Sequence, residues 1–398
     1  MMYESISRRS ALASGATALG ISVAGCSGGS GESGGPTVGI LEDRSGNFQL
    51  NGTSKWQATR LALEEINENG GLLGEEIEIV DPDPQSDNSR YQELTERLIL
   101  QDQVDALWAG YSSATREAIR PIINENEQLY FYTTQYEGGV CDNTIFPVGA
   151  TARQQLGIVT PYLADEFGED IYIIAADYNF GQLSGDWVNV LAQENGYNIV
   201  QRQKHGVGAK DFSTLISQAQ SAGAEVLLDT PVPPGGITAM KQINESNWSP
   251  KFIQLTRAAD TSSWWSALGE AGEYVCMAPG WVPGLTGNGN AQMAQAYRDT
   301  YDIASDDLLP VIVGAAYNIT QVTEQAVNAA SGTDRASVRD AIRNNEYQTV
   351  IGEFGFDDVG RPTGLDAPMG QWVDGDQHLV YPQTDSEAFH ELTYPIPE

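Results

Sequence analysis

Lysine is scarce in this chain. Lys55, Lys204, Lys210, Lys241 and Lys251 are the only lysines among 398 residues, and they belong to a basic set of 21 that faces 54 acidic side chains, a formal charge of −33. So acidic a surface repels phosphates and anionic lipid heads, which excludes nucleic acid as a partner. Histidine is rarer still: His205, His378 and His390 do not pair at metal-ligand spacing, so no histidine-based metal centre is expected. No glycine-rich loop runs into Lys-Ser or Lys-Thr, Gly284 to Gly289 lacks the third glycine of a dinucleotide loop, and no Gly-x-Ser-x-Gly elbow occurs. Asp81, Asp83 and Asp87 have the look of a calcium loop, but Pro82, Pro84 and the missing glycine break it. Without an activated nucleophile, a metal set or a cofactor loop, the sequence predicts no enzyme, no metal and no cofactor.

Carboxylate and apolar side chains, by contrast, are abundant. Hydrophobic residues make up 41% of the chain, enough for a large core, and at one domain per ~150 residues two or three compact units are expected. Excess carboxylate with little lysine is the composition of a halophile's protein, kept hydrated in concentrated salt. Most Asp and Glu are therefore read as a solvated face.

The N-terminus carries an address. Arg8-Arg9 opens a mildly apolar run from Ala11 to Ala24, too short and too rich in Gly, Ser and Thr to span ~30 Å of hydrocarbon. Twin arginines ahead of a weak apolar stretch match an export signal. The run ends Ser22-Val23-Ala24-Gly25-Cys26, small residues before a cysteine, which resembles a lipobox with Cys26 as the lipidated first mature residue. Residues 27–36, mostly Gly and Ser, read as a flexible tether. The expectation is an exported protein held to the outer face of the cytoplasmic membrane by lipid alone. The remaining Cys141 and Cys276 could form one disulfide but are read as two buried free thiols. Asn51, Asn244, Asn247 and Asn318 sit in Asn-x-Ser/Thr triplets, candidate glycan acceptors outside the cell.

Beyond residue 36 short apolar runs alternate with helical periodicity. Strands are predicted at 38–41, 76–80, 104–108, 129–132, 171–175, 198–201 and 224–229, with helices between them. Regular alternation with short connections predicts parallel sheets flanked by helices, and the restart after residue 151 predicts two such lobes. Ligands of open parallel sheets sit beyond the carboxyl ends of strands, which selects the loops 43–46, 111–114, 133–138, 177–181 and 229–235.

Residues 81–122, an aspartate loop, a helix, a strand and then Gly-x-x-Ser opening a helix, resemble the first lobe of the branched-chain amino-acid/amide-binding transport receptors. The segment LYFYTTQYEGG (129–139) is more similar to the urea- and short-chain-amide-binding branch of that family, as are AADYNFGQ (175–182) and residues 208–230. The tail departs from that branch, with Gly352 to Gly360 in place of an Asn-His-His stretch, while residues 371–382 resemble the family's closing hairpin turning at Asp374-Gly375.

The resemblance implies a type I periplasmic-binding-protein fold, two doubly wound parallel-sheet lobes joined by a three-strand hinge. It implies a signal peptide at 1–25, a lipidated tether at 26–36, lobe 1 at 37–151 plus 282–345, lobe 2 at 152–281 plus 346–372, and a C-terminal tail at 373–398. Trp281, Pro283 and Gly284 fit a crossing. It also implies a receptor that hands urea or a short amide to an ABC permease with its ATPase subunits; a branched-chain amino acid, or an amide-sensing role, is the alternative. The ligand contacts it implies are Ser113, Thr134 and Tyr132 from the first lobe and Tyr178 from the second. Tyr111 would line the wall, and Asp177, Asp229 and Thr230 would accept N–H groups. Ser113 also reads as a helix N-cap, Tyr132 and Thr134 as core at a strand end, and Tyr136 and Glu137 as shaping a hinge-side loop.

Overall fold

The computed structural model describes residues 35–229, 235–248, 251–254, 266–272, 276–277, 281, 287–305, 307, 309–365, 369–373 and 376–381. Cys26, Thr230, Pro283, Gly284, Asp374 and Gly375 lie outside the described residues.

The first sheet has β1 (Thr37–Leu41), β2 (Glu78–Val80), β3 (Ala106–Ala109), β4 (Leu129–Tyr132) and β5 (Ile145–Pro147), all parallel, in the order β2-β1-β3-β4-β5. Its strands are apolar on both faces because helices cover both. Along β3 and β4, Ala106, Trp108, Leu129 and Phe131 join a cluster with Ile319, Val322, Val338 and Ile342, while Leu107, Ala109, Tyr130 and Tyr132 join Tyr91, Leu98, Ile119 and Ile123 on the opposite side. The helices on these faces are α1 (Gln49–Glu68), α2 (Asn88–Leu100) and α3 (Ser113–Glu125) from the same stretch of chain, together with the helices Ile312–Ala330 and Arg335–Asn344.

The second sheet repeats the order. β6 (Asp170–Ala176), β7 (Asn198–His205), β8 (Val226–Asp229), β9 (Lys251–Gln254) and β10 (Cys276–Met277) run β7-β6-β8-β9-β10, in parallel. α4 (Ala152–Phe167) and α5 (Asn179–Asn195) cover one face, where Leu156, Val159 and Val188 meet Ile171, Ile173 and Leu228. A three-stranded antiparallel sheet follows, of β11 (Tyr347–Thr349), β12 (Gly352–Phe356) and β13 (Pro362–Thr363). β14 (Met369–Val373) and β15 (Asp376–Tyr381) then form a hairpin that extends the second sheet by antiparallel pairing to β10. This is the type I periplasmic-binding fold of two α/β lobes.

Trp281 is buried, its Nε1 donating to Asn290 Oδ1 at 2.7 Å. The ring lies so close to the helix Ile312–Ala330 that a Cβ on Gly314 would come within 2.2 Å of it, so only glycine fits there.

Two sequence expectations change. Cys141 is free and exposed rather than buried. Asn51 and Asn318 are buried inside helices and cannot take a glycan in this fold, although their triplets match.

Candidate functional site

In an order of this kind the chain leaves the middle of the sheet in opposite directions from two neighbouring strands, opening a crevice at their carboxyl ends. In the first lobe those strands are β1 and β3, and the residues that follow them are Glu42-Asp43 and Gly110-Tyr111. In the second they are β6 and β8, followed by Asp177-Tyr178 and residue 230.

Glu42 and Asp43 are fully buried. Glu42 pairs with Lys55 of α1, Oε2 to Nζ at 2.6 Å, and its other oxygen accepts the Thr133 hydroxyl at 3.1 Å. Lys55 also donates to the Gly110 carbonyl, and its ammonium lies 5.9 Å from the Tyr111 ring centroid. One buried ion pair thus ties together the ends of β1, β3 and β4. Asp43 Oδ1 accepts the Ser86 amide at 2.6 Å. Burial pushes the Glu42 carboxyl up to about 7 against the pull of Lys55, and pushes Asp43 up to about 6.

Gly110 turns the chain out of β3 at φ +89°, where a side chain would press on the Tyr130 hydroxyl at 3.0 Å. Ser112, not Ser113, caps α3, in a capping box with Thr115. Both serines have the side chain of a cap, and only the turn geometry chooses between them. Ser113 is thereby released from capping, and its Oγ donates to Glu137 Oε2 at 2.6 Å.

Glu137 is the hub of the first-lobe wall. Its other oxygen receives Arg116 Nη2 at 2.6 Å, with both side chains about 2% exposed. The Arg116 guanidinium lies 5.0 Å from the Tyr132 ring centroid and 5.9 Å from that of Tyr136. Burial drives the Tyr132 phenol above its ordinary pKa, opposed by the charge on Arg116. Thr134 is buried beside this wall, its hydroxyl directed to Gln135 Oε1 at 3.2 Å.

From the second lobe, Tyr178 starts α5 half-buried. Burial raises its phenol well above the usual value, and Tyr111, Tyr132 and Glu137 of the first lobe reinforce the shift. Trp187, further along α5, donates from Nε1 to the Glu137 carbonyl at 3.1 Å. A cavity of about 400 Å³ opens here, lined by Phe48, Asn88, Ser112, Tyr178 and Val207 among others.

The structure therefore brings Ser113 and Tyr132 together around Glu137 and Arg116, with Thr134 at the adjoining strand end, while Tyr178 lines a cavity with Ser112 and with Phe48, whose ring lies 5.1 Å from that of Tyr111. Asp177 stands apart: it is exposed, and its carboxylate meets Gln182 at 2.9 Å and Lys204 at 3.5 Å. Asp229 ends β8 by its backbone pairing. Sequence reasoning missed Lys55 and Arg116. Arg116 was within reach, because it lies three residues after Ser113 on the same helix face.

A family model described as periplasmic binding protein matches residues 36–377. The chain is 27% identical over 393 residues to the Leu/Ile/Val-binding protein homolog 7 of Brucella suis biovar 1, covering 90% of this chain and 94% of that one. An amino acid binding protein of Pseudomonas aeruginosa is 21% identical over 360 residues, covering 89% and 92%. Among solved structures, the branched-chain amino acid transporter substrate binding protein LivJ of Streptococcus pneumoniae, in complex with isoleucine, superposes with a TM-score of 0.76 at 16% identity over 87% of this chain and 99% of its own. A solute binding protein of an R. palustris ABC transporter, in complex with benzoate, gives 0.74 at 17% identity over 89% and 99%. These are solute-binding proteins, not enzymes. With a switch point in each of two parallel sheets and a family model spanning residues 36–377, the chain belongs to the periplasmic binding proteins, which act outside the cytoplasm.

Proposed function

We propose that the protein is the substrate-binding component of an ABC importer and that it takes a small amino acid of the branched-chain type into the crevice between its lobes. The observation that carries this is the cavity that Tyr178 of the second lobe shares with Phe48 and Ser112 of the first, next to the Ser113–Glu137 wall. A zwitterion needs donors for its carboxylate and an acceptor for its ammonium. The Ser113 and Thr134 hydroxyls, with the free N–H groups opening α3, supply the donors, and Asp229 supplies the acceptor. Tyr132 and Tyr178 exclude water, which strengthens each remaining hydrogen bond. The names of the relatives support an amino acid over an amide.

One observation keeps urea or a short amide as a second reading. Glu137 is already matched by Arg116 at 2.6 Å, so the wall is close to neutral and offers mainly hydroxyls, as an uncharged guest requires. Closure would present a distinct shape to the permease while the guest stays unreacted. Lipid attachment at Cys26, export by the twin-arginine signal, the halophile setting and the lobe boundaries at residues 151–152, 281–282 and 345–346 belong to the same reading.

Calorimetry in concentrated salt with leucine, isoleucine, acetamide and urea tests it. Saturable one-to-one binding of leucine or isoleucine is expected, lost in Tyr178→Ala. Binding of acetamide or urea alone would favour the second reading, and silence from all four would remove both.

A further inference from the structure

A second chamber, of about 830 Å³, within the size range of small-molecule sites, adjoins the loop after β4. It is lined by Glu137, Gly138, Cys141, Arg153, Trp187 and Arg361 among others; none of these lines the crevice-mouth cavity, although Glu137 also belongs to the first-lobe wall. Its walls come from the loop after β4, from α4 and α5, and from the turn between β12 and β13.

The wall is rich in donors. Among the described residues, the amides of Gly138, Gly139, Val140 and Cys141 have no hydrogen-bond partner. Gly138 and Gly139 take φ of +96° and +81°, with open space where a Cβ would stand. Arg153 lies in the first turn of α4, at the positive end of the helix dipole. Its guanidinium covers the Trp187 ring at 5.1 Å, and the carboxylate paired with it, Glu194, is 3.9 Å away. Tyr136, two residues before Gly138, has a fully buried hydroxyl without a hydrogen-bond partner among the described residues.

The two acids at the chamber are spent. Asp357 is held by Arg361 Nε at 2.7 Å and by the amides of Val359 and Arg361 at 3.1 and 2.8 Å. Glu137 is held by Ser113 and Arg116. Asp357 cancels Arg361, and Arg116 cancels Glu137, while Arg153 has only Glu194 at 3.9 Å, too far for a hydrogen bond, so its guanidinium N–H groups stay open to a guest. A carboxylate on a guest can accept from that guanidinium and from the loop amides, and Trp187, Val359 and Pro362 offer apolar surface for the body of that guest.

We propose that this chamber is a second binding site, for a small organic monocarboxylate, distinct from the crevice and touching both lobes. A guest there bridges the loop after β4 to α4 and α5, so its occupancy favours the closed arrangement.

The test is calorimetry of the full-length protein with benzoate, and with benzyl alcohol as its uncharged counterpart, with and without saturating leucine. One-to-one benzoate binding that persists under leucine, no binding of benzyl alcohol, and at least about a tenfold loss of benzoate affinity in Arg153→Gln are expected. Leucine affinity should stay within about twofold in that variant. No benzoate binding up to its solubility limit overturns the proposal. So does displacement of benzoate by leucine, or loss in Ser113→Ala with Arg153→Gln unaffected, because both place benzoate in the crevice. Should leucine itself fail to bind, the Arg153→Gln and benzyl alcohol arms still decide this site independently.

Discussion

Glu137 and Arg116 are each almost without solvent contact, and each is tolerable there because the other is present. Removing one partner leaves a buried charge uncompensated, so Arg116→Met should cost about 3–5 kcal/mol in urea unfolding, while the double variant Arg116→Met/Glu137→Gln should recover most of it. Equal losses in the single and double variants would mean that the pair is not coupled. Glu42 and Asp43 predict a pH effect. Both carboxyls titrate higher in the fold than in the unfolded chain, at about 7 and about 6. The fold therefore favours their protonated forms, and that contribution is complete below about pH 4 and is lost as pH rises through about 6 to 7. Unfolding midpoints between those limits should fall with pH in the native protein and fall less in Glu42→Gln/Asp43→Asn. A parallel fall in both proteins would contradict the assignment.

At the scale of elements, strands and helices follow from patterning alone. LYFY at 129–132 is apolar on both faces because both faces are covered, and four consecutive apolar side chains of high strand propensity are enough to mark a buried strand. Which of Ser112 and Ser113 caps α3 is not legible, since both side chains can cap and the choice depends on φ and ψ at the turn after Gly110. Ser112→Ala should therefore cost about 1 kcal/mol of stability. Ser113→Ala should lower ligand affinity about tenfold, by removing a donor from the wall, with little change in the unfolding midpoint. The opposite pattern in the two variants would reverse their roles.

For the whole molecule, 54 acidic residues against 21 basic ones repel each other across the surface, and salt screens them. The thermal midpoint should rise steadily from about 0.1 M to about 2 M KCl, where the Debye length falls below ~3 Å, and an unchanged midpoint would remove the case for a salt-adapted surface. Composition, alternation and local motifs determined the class of molecule: an α/β binding protein of two lobes, with its loops of interest at the carboxyl ends of strands. Those features are written in short stretches, because hydrogen-bonding period and side-chain polarity are local properties. Tertiary structure alone decided that Lys55 reaches Glu42 and Gly110, that Arg116 and Ser113 meet on Glu137, and that Tyr178 of one lobe shares a cavity with Phe48 and Ser112 of the other. Each of those contacts joins residues from different elements. The free energy that fixes them comes from burying two sheets and their helices at once, which no single segment can encode.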